Sequence, residues 1–262
     1  MKTISSAFLL FALICLPLFL WENGEGDDGE DSLLSEWKAQ SSGTNKHLHG
    51  VSFVDAQSGW VVGDDGTILH TTDGGTTWTK QSSGTLNHLH GVTFVDVKNG
   101  WAVGQRGTIV HTMNGEAWVV QSSGVFDDLR DVAFVDARRG WAVGGSAIDE
   151  EFTQRGRILF TTDSGETWTK HNTIIGYQMC GIASVDANNV WVAGSRETIL
   201  HTKDGGNTWM PQSTRTHQGL SNVAFADMRN GWAVGSNGTI LHTANGGRNL
   251  DRAEQQNHLA PS

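Results

Sequence analysis

The chain is short of cysteine, of basic residues and of tyrosine, and each shortage removes a class of explanation. Two cysteines occur, Cys15 in an N-terminal apolar run and Cys180 in the body, so the body cannot hold an internal disulfide and its stability must come from packing. Eighteen Lys and Arg face 28 Asp and Glu, a formal charge of −10, which excludes nucleic acid as a partner on bulk electrostatics. Part of that charge is local. Seven acids (Glu22, Glu25, Asp27, Asp28, Glu30, Asp31 and Glu36) and no Lys or Arg lie in residues 22–36, which read as a solvated acidic spacer. Recognisable nucleophilic triads and phosphate-binding loops are missing, and no cofactor is implied.

Against these shortages stand 33 Gly and 11 Trp in 262 residues, a usage that goes with many turns and many flat rings. The segment GWVVGDDGTILHTTDGGTTW (59–78) recurs as GWAVGQRGTIVHTMNGEAW (100–118). It returns as GWAVG from Gly140 with RILFTTDSGETW to Trp168, as VWVAGSRETILHTKDGGNTW (190–209) and as GWAVGSNGTILHTANGG from Gly231. A β-prone segment ending in Asp precedes each copy, at Asp55, Asp96, Asp136, Asp186 and Asp227. From Trp37 the terminal Trp recurs at spacings of 41, 40, 50 and 41, the long one holding an insertion within 146–157. Short β-prone runs cut by Gly and Asp turns give four strands per copy, the signature of one β-propeller blade. The expected fold is therefore all-β: a propeller over residues 37–250 with about five four-stranded blades and a polar tail at 251–262. Residues 37–43 form a lone fourth strand expected to complete the last blade, where Leu250 replaces the terminal Trp.

Residues 1–21 carry Lys2 and an apolar run, which fits a secretory signal; the stretch 4–21 is also near the length of a membrane span. Cleaved signal and retained tether both stay open. Either places the body outside the cytoplasm, in the periplasm or secreted. Leu13 and Ile14 before Cys15 are not the small residues that lipidation requires.

The pattern GWxVGxxGTIxHTxDGGxTW resembles the photosystem II stability/assembly factor family of β-propellers, over about 210 residues and five copies. The wider Asp-box pattern is matched in full at 71–78, 161–168 and 202–209. That resemblance implies a propeller, seven-bladed in the family, that binds newly made reaction-centre protein on the lumenal or periplasmic side. It implies a non-catalytic scaffold for a protein partner such as a membrane-complex subunit, and a monomer is expected. The alternative is a carbohydrate-binding or carbohydrate-cleaving Asp-box propeller of the sialidase or glycoside hydrolase type. Tyr177 is the only Tyr and no Arg-Ile-Pro occurs, against sialidase chemistry. No spacing singles out a carboxylate pair among Asp64, Asp65, Asp128, Asp149, Glu150 and Glu151 for glycoside cleavage.

Asp73, Asp163 and Asp204 are read as structural Asp-box residues, since a turn Asp accepts backbone N–H groups. Strand reversal puts these turns and the first hairpin turns on one rim. The more varied loops fall on the other, and varied loops suit recognition. The candidate partner-binding rim holds His47, His49, His88, His90, Arg106, Asp128, Arg130 and Arg196, with Gln178 and Cys180 nearby. The two His-x-His pairs carry the right atoms for zinc, but both come from a copied HLHG segment and no metal is assigned. His70, His111, His201 and His242 recur at one strand position and are expected to pack or hydrogen-bond between blades.

Overall fold

The structure, a computed structural model, describes residues 37–146, 155–171 and 177–247. The expected signal or tether (1–21), the acidic spacer, the tail and most of the third-copy insertion lie outside the described residues. Among those described, no helix is long and apolar enough to cross a membrane.

The chain divides into residues 1–41 and 42–262. The second unit holds five antiparallel sheets of consecutive hairpins, the blades of a β-propeller. The first sheet contains β1 (Leu48–Phe53), β2 (Gly59–Gly63), β3 (Ile68–Thr71) and β4 (Thr79–Gln81). The second contains β5 (Leu89–Phe94), β6 (Gly100–Gly104), β7 (Ile109–Thr112) and β8 (Trp118–Gln121). The third contains β9 (Leu129–Phe134), β10 (Gly140–Ser146), β11 (Arg155–Thr161) and β12 (Thr169–His171). The fourth contains β13 (Met179–Ser184), β14 (Val190–Gly194), β15 (Thr198–Thr202) and β16 (Met210–Pro211). The fifth contains β17 (Leu220–Phe225), β18 (Gly231–Gly235) and β19 (Ile240–Thr243). The first strands form the shared inner row: β1 packs on β5, β5 on β9, β9 on β13 and β13 on β17.

One interface is repeated between sheets. Each sheet presents a Trp face to the next sheet's Phe face. Trp60, Val62 and Ile68 meet Leu89, Val92, Phe94, Ala102, Val110 and Trp118 of the second sheet. The indole lies flat on the incoming Phe ring, with centroids 3.6 Å apart for Trp60–Phe94, 3.5 Å for Trp101–Phe134 and 3.8 Å for Trp191–Phe225. Its Nε1–H reaches across to a carbonyl in the next sheet's Asp-box turn: Gly115, Ser164, Gly205 and Gly246 in order. The Gly before the motif Trp makes room for the Phe, since a Cβ on Gly100 would stand 2.3 Å from the Phe94 ring. Where Ser184 replaces that Phe, the Gly is replaced in turn by buried Val190, so volume is conserved.

Two expectations are corrected. The His residues of the third strands stack within a blade, not between blades. His70, His111 and His201 lie on the Trp opposite them in their own sheet at 4.3, 4.5 and 4.0 Å, and Gln81 and Gln121 of the fourth strands reach the Nδ1 atoms of His70 and His111. Second, residues 37–43 form no strand, and the fifth sheet has three strands among the described residues. An extended segment without a ladder partner has nothing to hold it. Val51 on the Phe face of the first sheet is 63% exposed, and Trp232 and Ile240 on the Trp face of the fifth are 43% and 72% exposed.

Candidate functional site at the varied rim

Hydrogen bonds assign the loops to rims. Each Asp-box turn bonds to the first hairpin turn of its own blade, as in Gly74 N–H to the Gln57 carbonyl, Gly115 to Lys98 and Gly205 to Asn188. The loops between second and third strands bond instead to the segments before the first strands: Asp64 N–H to the His47 carbonyl, Gln105 to His88, Gly145 to Asp128 and Ser195 to Gln178. His and Arg candidates and Asp-boxes therefore lie at opposite strand ends.

A β-bulge positions the site. In every blade the register of the first strand slips by one residue near its start, leaving His49, His90, Arg130, Cys180 and Ser221 without a ladder partner. Bulges commonly re-aim a side chain next to a functional site. This device could not be read from HLHG as strict alternation, which put each His pair on one side of its strand. The structure instead splits the pairs: His49 Nε2 lies 2.7 Å from Asp64 Oδ1 and His88 Nδ1 lies 3.1 Å from the same oxygen. The His49 hydrogen bond, and after it the electrostatic influence of the His88, His49 and His47 rings, hold the Asp64 carboxyl below its ordinary range. Asp65, the next residue, pairs with Lys46, a partner the sequence reading did not include. Among the described residues no group of three His, Cys, Asp or Glu side chains could hold a metal ion.

The bulge row continues around the inner edge. The His49 and His90 rings lie 5.6 Å apart. Burial, then the Arg130 charge, pushes the His90 imidazole below its ordinary value, so it is neutral at pH 7. Arg130 pairs with Asp128 at 3.4 Å, and Asp128 Oδ1 also accepts the Arg106 backbone N–H. Burial raises the Cys180 thiol, with Arg130 opposing. His90 Nε2 and Arg130 Nε are shielded from water and have no hydrogen-bond partner. Arg196 stands apart, its guanidinium 4.9 Å over the Tyr177 ring. Asp65, Arg106 and Arg196 occupy the left-handed region, with φ of 54°, 54° and 51°, a conformation that ordinarily favours Gly. Arg157, at the base of the insertion, pairs with Asp127 beside the same rim.

The family profile described as photosynthesis system II assembly factor YCF48 matches residues 30–123 and again 115–213, most of the chain. The chain belongs to the YCF48 family. Among solved structures, a YCF48 bound to D1 peptide is 18% identical, covers 77% of this chain and 93% of that one, and has a TM-score of 0.41. YCF48 from Cyanidioschyzon merolae is 18% identical, covers 79% and 84%, and has a TM-score of 0.43. A GH74 enzyme from Niastella koreensis is 13% identical over 75% of this chain and 36% of that one, with a TM-score of 0.61, which reflects the shared propeller fold. No curated protein matches the chain.

The Asp-boxes of this YCF48-family chain are braces. Asp163 Oδ1 accepts the Thr167 N–H at 2.9 Å and the Thr161 hydroxyl at 2.7 Å, while Oδ2 accepts the Thr167 hydroxyl. These bonds lower the carboxyl's pKa. Asp204 makes the same set and sits at about 2, and Asp73 repeats it. Asp163→Ala is expected to lower stability by about 1 kcal/mol through the lost turn bonds, and to leave ligand capture at the other rim unchanged. Urea melts and a binding isotherm on the same preparation check both halves; a capture defect would move function to the Asp-box rim.

Proposed function

We propose that this chain is a non-catalytic, extracytoplasmic propeller scaffold whose varied rim captures an extended segment of a membrane-complex subunit. Membership of an assembly-factor family supports the role. The observation that carries the site is the bulge row, where the buried Arg130 Nε–H and His90 Nε2 have no partner and Asp128 joins Arg130 to the Arg106 backbone N–H. A buried donor left unpaired costs about 1–3 kcal/mol, and a peptide carbonyl laid across the row would satisfy Arg130. A neutral His90 can accept or donate according to its tautomer. The N-terminal apolar run supports placing the body outside the cytoplasm.

The carbohydrate alternative finds two of its candidate acids already paired among the described residues. Asp64 is engaged by His49 and His88, and Asp65 by Lys46, so neither is free to serve as acid or nucleophile. The D1 peptide that one YCF48 protein binds is the probe of choice. Substituting Arg106, Arg130 and Arg196 together with alanine is expected to abolish its capture by the full chain, with the urea midpoint essentially unmoved. Unchanged capture would dismiss this rim as the binding site.

A further inference from the structure

Four of the sheets end in an outer strand whose far edge has no neighbour, and three of those strands carry a guard. β4, β8, β12 and β16 each close their sheet and are bonded on one side only. An edge of unpaired N–H and C=O groups is a template for another strand, and proteins blunt it with lysine, with proline or by keeping it short. β4 has Lys80 at its centre and β12 has Lys170, and each is three residues long. β16 is two residues long and its second is Pro211, which has no N–H to offer. β8 reads Trp-Val-Val-Gln and is the longest of the four, with neither lysine nor proline. Val119 is 63% exposed and Val120 53%. Met113 ahead of the strand and Phe126 after it are exposed as well.

The bare edge is held in place from both ends. Trp118 gives its Nε1–H to Gln81 Oε1 of the first sheet at 2.8 Å, and its ring meets Phe94 edge-on at 5.7 Å. Gln121 Nε2 donates to the Ser164 carbonyl of the third sheet at 3.0 Å. Between these anchors β8 pairs with β7 residue by residue, Val119 opposite His111 and Val120 opposite Val110. The anchoring side chains are turned into the seams, and the two valines between them are left to solvent. A strand fixed in this way loses little freedom when another strand pairs with it.

We propose that the occupant of this edge is β8 of a second copy of the chain, paired antiparallel about the midpoint between Val119 and Val120. In that register each Val119 lies opposite the second copy's Val120, and each Trp118 opposite its Gln121. The strand holds no charged side chain, and the nearest one, Glu116, lies outside it. The other edges show why a second copy meets β8 and not its counterparts. Self-pairing of β4 about its centre would set Lys80 against Lys80, and of β12 Lys170 against Lys170, and like charges directly opposite one another are destabilising. Among the described four-stranded sheets, only the second presents an outer strand free of both that conflict and a proline. The contact is isologous, the same strand on both copies, so it closes at two and leaves the packing of blades within each copy untouched. The two second sheets become one continuous sheet across a twofold axis. A four-residue edge is small beside a standard stable interface, so the pair is weak and reversible.

The test is sedimentation velocity of the full chain in mild detergent, at concentrations on the order of hundreds of micromolar, with residues 1–36 common to every sample. Wild type is expected to move from one copy toward two as concentration rises. Val120→Lys gives β8 the guard that β4 and β12 carry, and Val119→Glu places an acid beside it. Each alone is expected to weaken association by about tenfold or more; both positions are exposed, and urea midpoints verify folding. Mixed in equal amounts, the two variants are expected to regain pairing, because in this register the new acid and the new base face each other across the strands. Wild type remaining single overturns the proposal, including the case in which a foreign extended peptide takes this edge instead. So do variants that associate as wild type does, which would place the contact elsewhere, and a mixture that fails to pair. Peptide capture at the varied rim is a separate readout and is expected to survive both substitutions, so failure of one proposal leaves the other standing.

Discussion

Trp101→Ala is expected to lower the unfolding free energy by about 3–5 kcal/mol, the range for deleting a buried large aromatic. Trp101 has no exposed surface. Its indole lies between the Phe134 ring on one side and the His111 ring on the other, and its Nε1–H holds the Ser164 carbonyl at 3.0 Å. Truncation removes both stacks, leaves the Ser164 carbonyl with Gln121 as its one remaining side-chain donor, and opens a void in the seam joining the second and third sheets. Trp232→Ala makes the control. It is the same residue at the same place in its blade, but 43% exposed with one stacking partner, His242 at 4.9 Å, and should cost below about 1 kcal/mol in a single copy. Urea midpoints of the two variants decide it. Equal losses would mean that the ring stacks are not what joins the sheets.

The second large effect is a pair of opposed pH dependences. Burial takes His111 from its ordinary 6.5 to about 4. The folded state therefore binds fewer protons than the unfolded one. The contribution is complete above pH 6.5 and is lost as pH falls toward 4, amounting to about 3 kcal/mol. Asp131 runs the other way. Burial raises its carboxyl to about 6, against two backbone N–H bonds from Ile182 and Val132 that pull it down. Here the folded state binds the extra proton, so the contribution is complete below about 3.8 and is lost as pH rises toward 6, by about 2–3 kcal/mol. His70, His90 and His171 are also depressed by burial, so the wild-type curve should decline on acidification with Asp131 partly holding it up. His111→Gln is expected to flatten that decline between pH 6.5 and 4, and Asp131→Asn to steepen it. Thermal midpoints at half-unit steps measure both; profiles parallel to wild type would refute the assignment of these two groups.

The blades were legible because a Trp every 40 or so residues and a Gly ahead of four of the five motif Trp residues are demands of the packing itself. The same spacing exposed the insertion and the Asp-boxes, whose bonds follow from turn chemistry. Other features depended on partners distant in sequence. Position 131 reads as one more variable rim residue, since Gly50, Gly91, Gly181 and Asn222 share its place, and only the Ile182 N–H from the next blade reveals a bulge-side carboxylate buried in a seam. The bulge shows only as a three-residue step between Leu89 and Val92, where strict alternation would place the buried side chains two apart. The strand at 37–43 was expected from the Trp spacing that begins at Trp37, and a short strand exists only where a ladder receives it. At the rim, Asp128 joins the Arg130 guanidinium to the Arg106 backbone N–H, while Arg196 lies over Tyr177, pairings that no spacing in the sequence signals.

The seams also dictate an order of events. Each one is made by a Trp already laid down and a first strand that arrives in the next blade, bringing a Phe in three of the four seams, as Phe94 follows Trp60. Nothing in a seam waits for residues beyond the next blade, so contacts stay local along the chain. A polypeptide that emerges amino end first can therefore bank each sheet against its predecessor while the rest is still being delivered, and the last sheet is the first to come loose when the molecule is pulled from its carboxyl end.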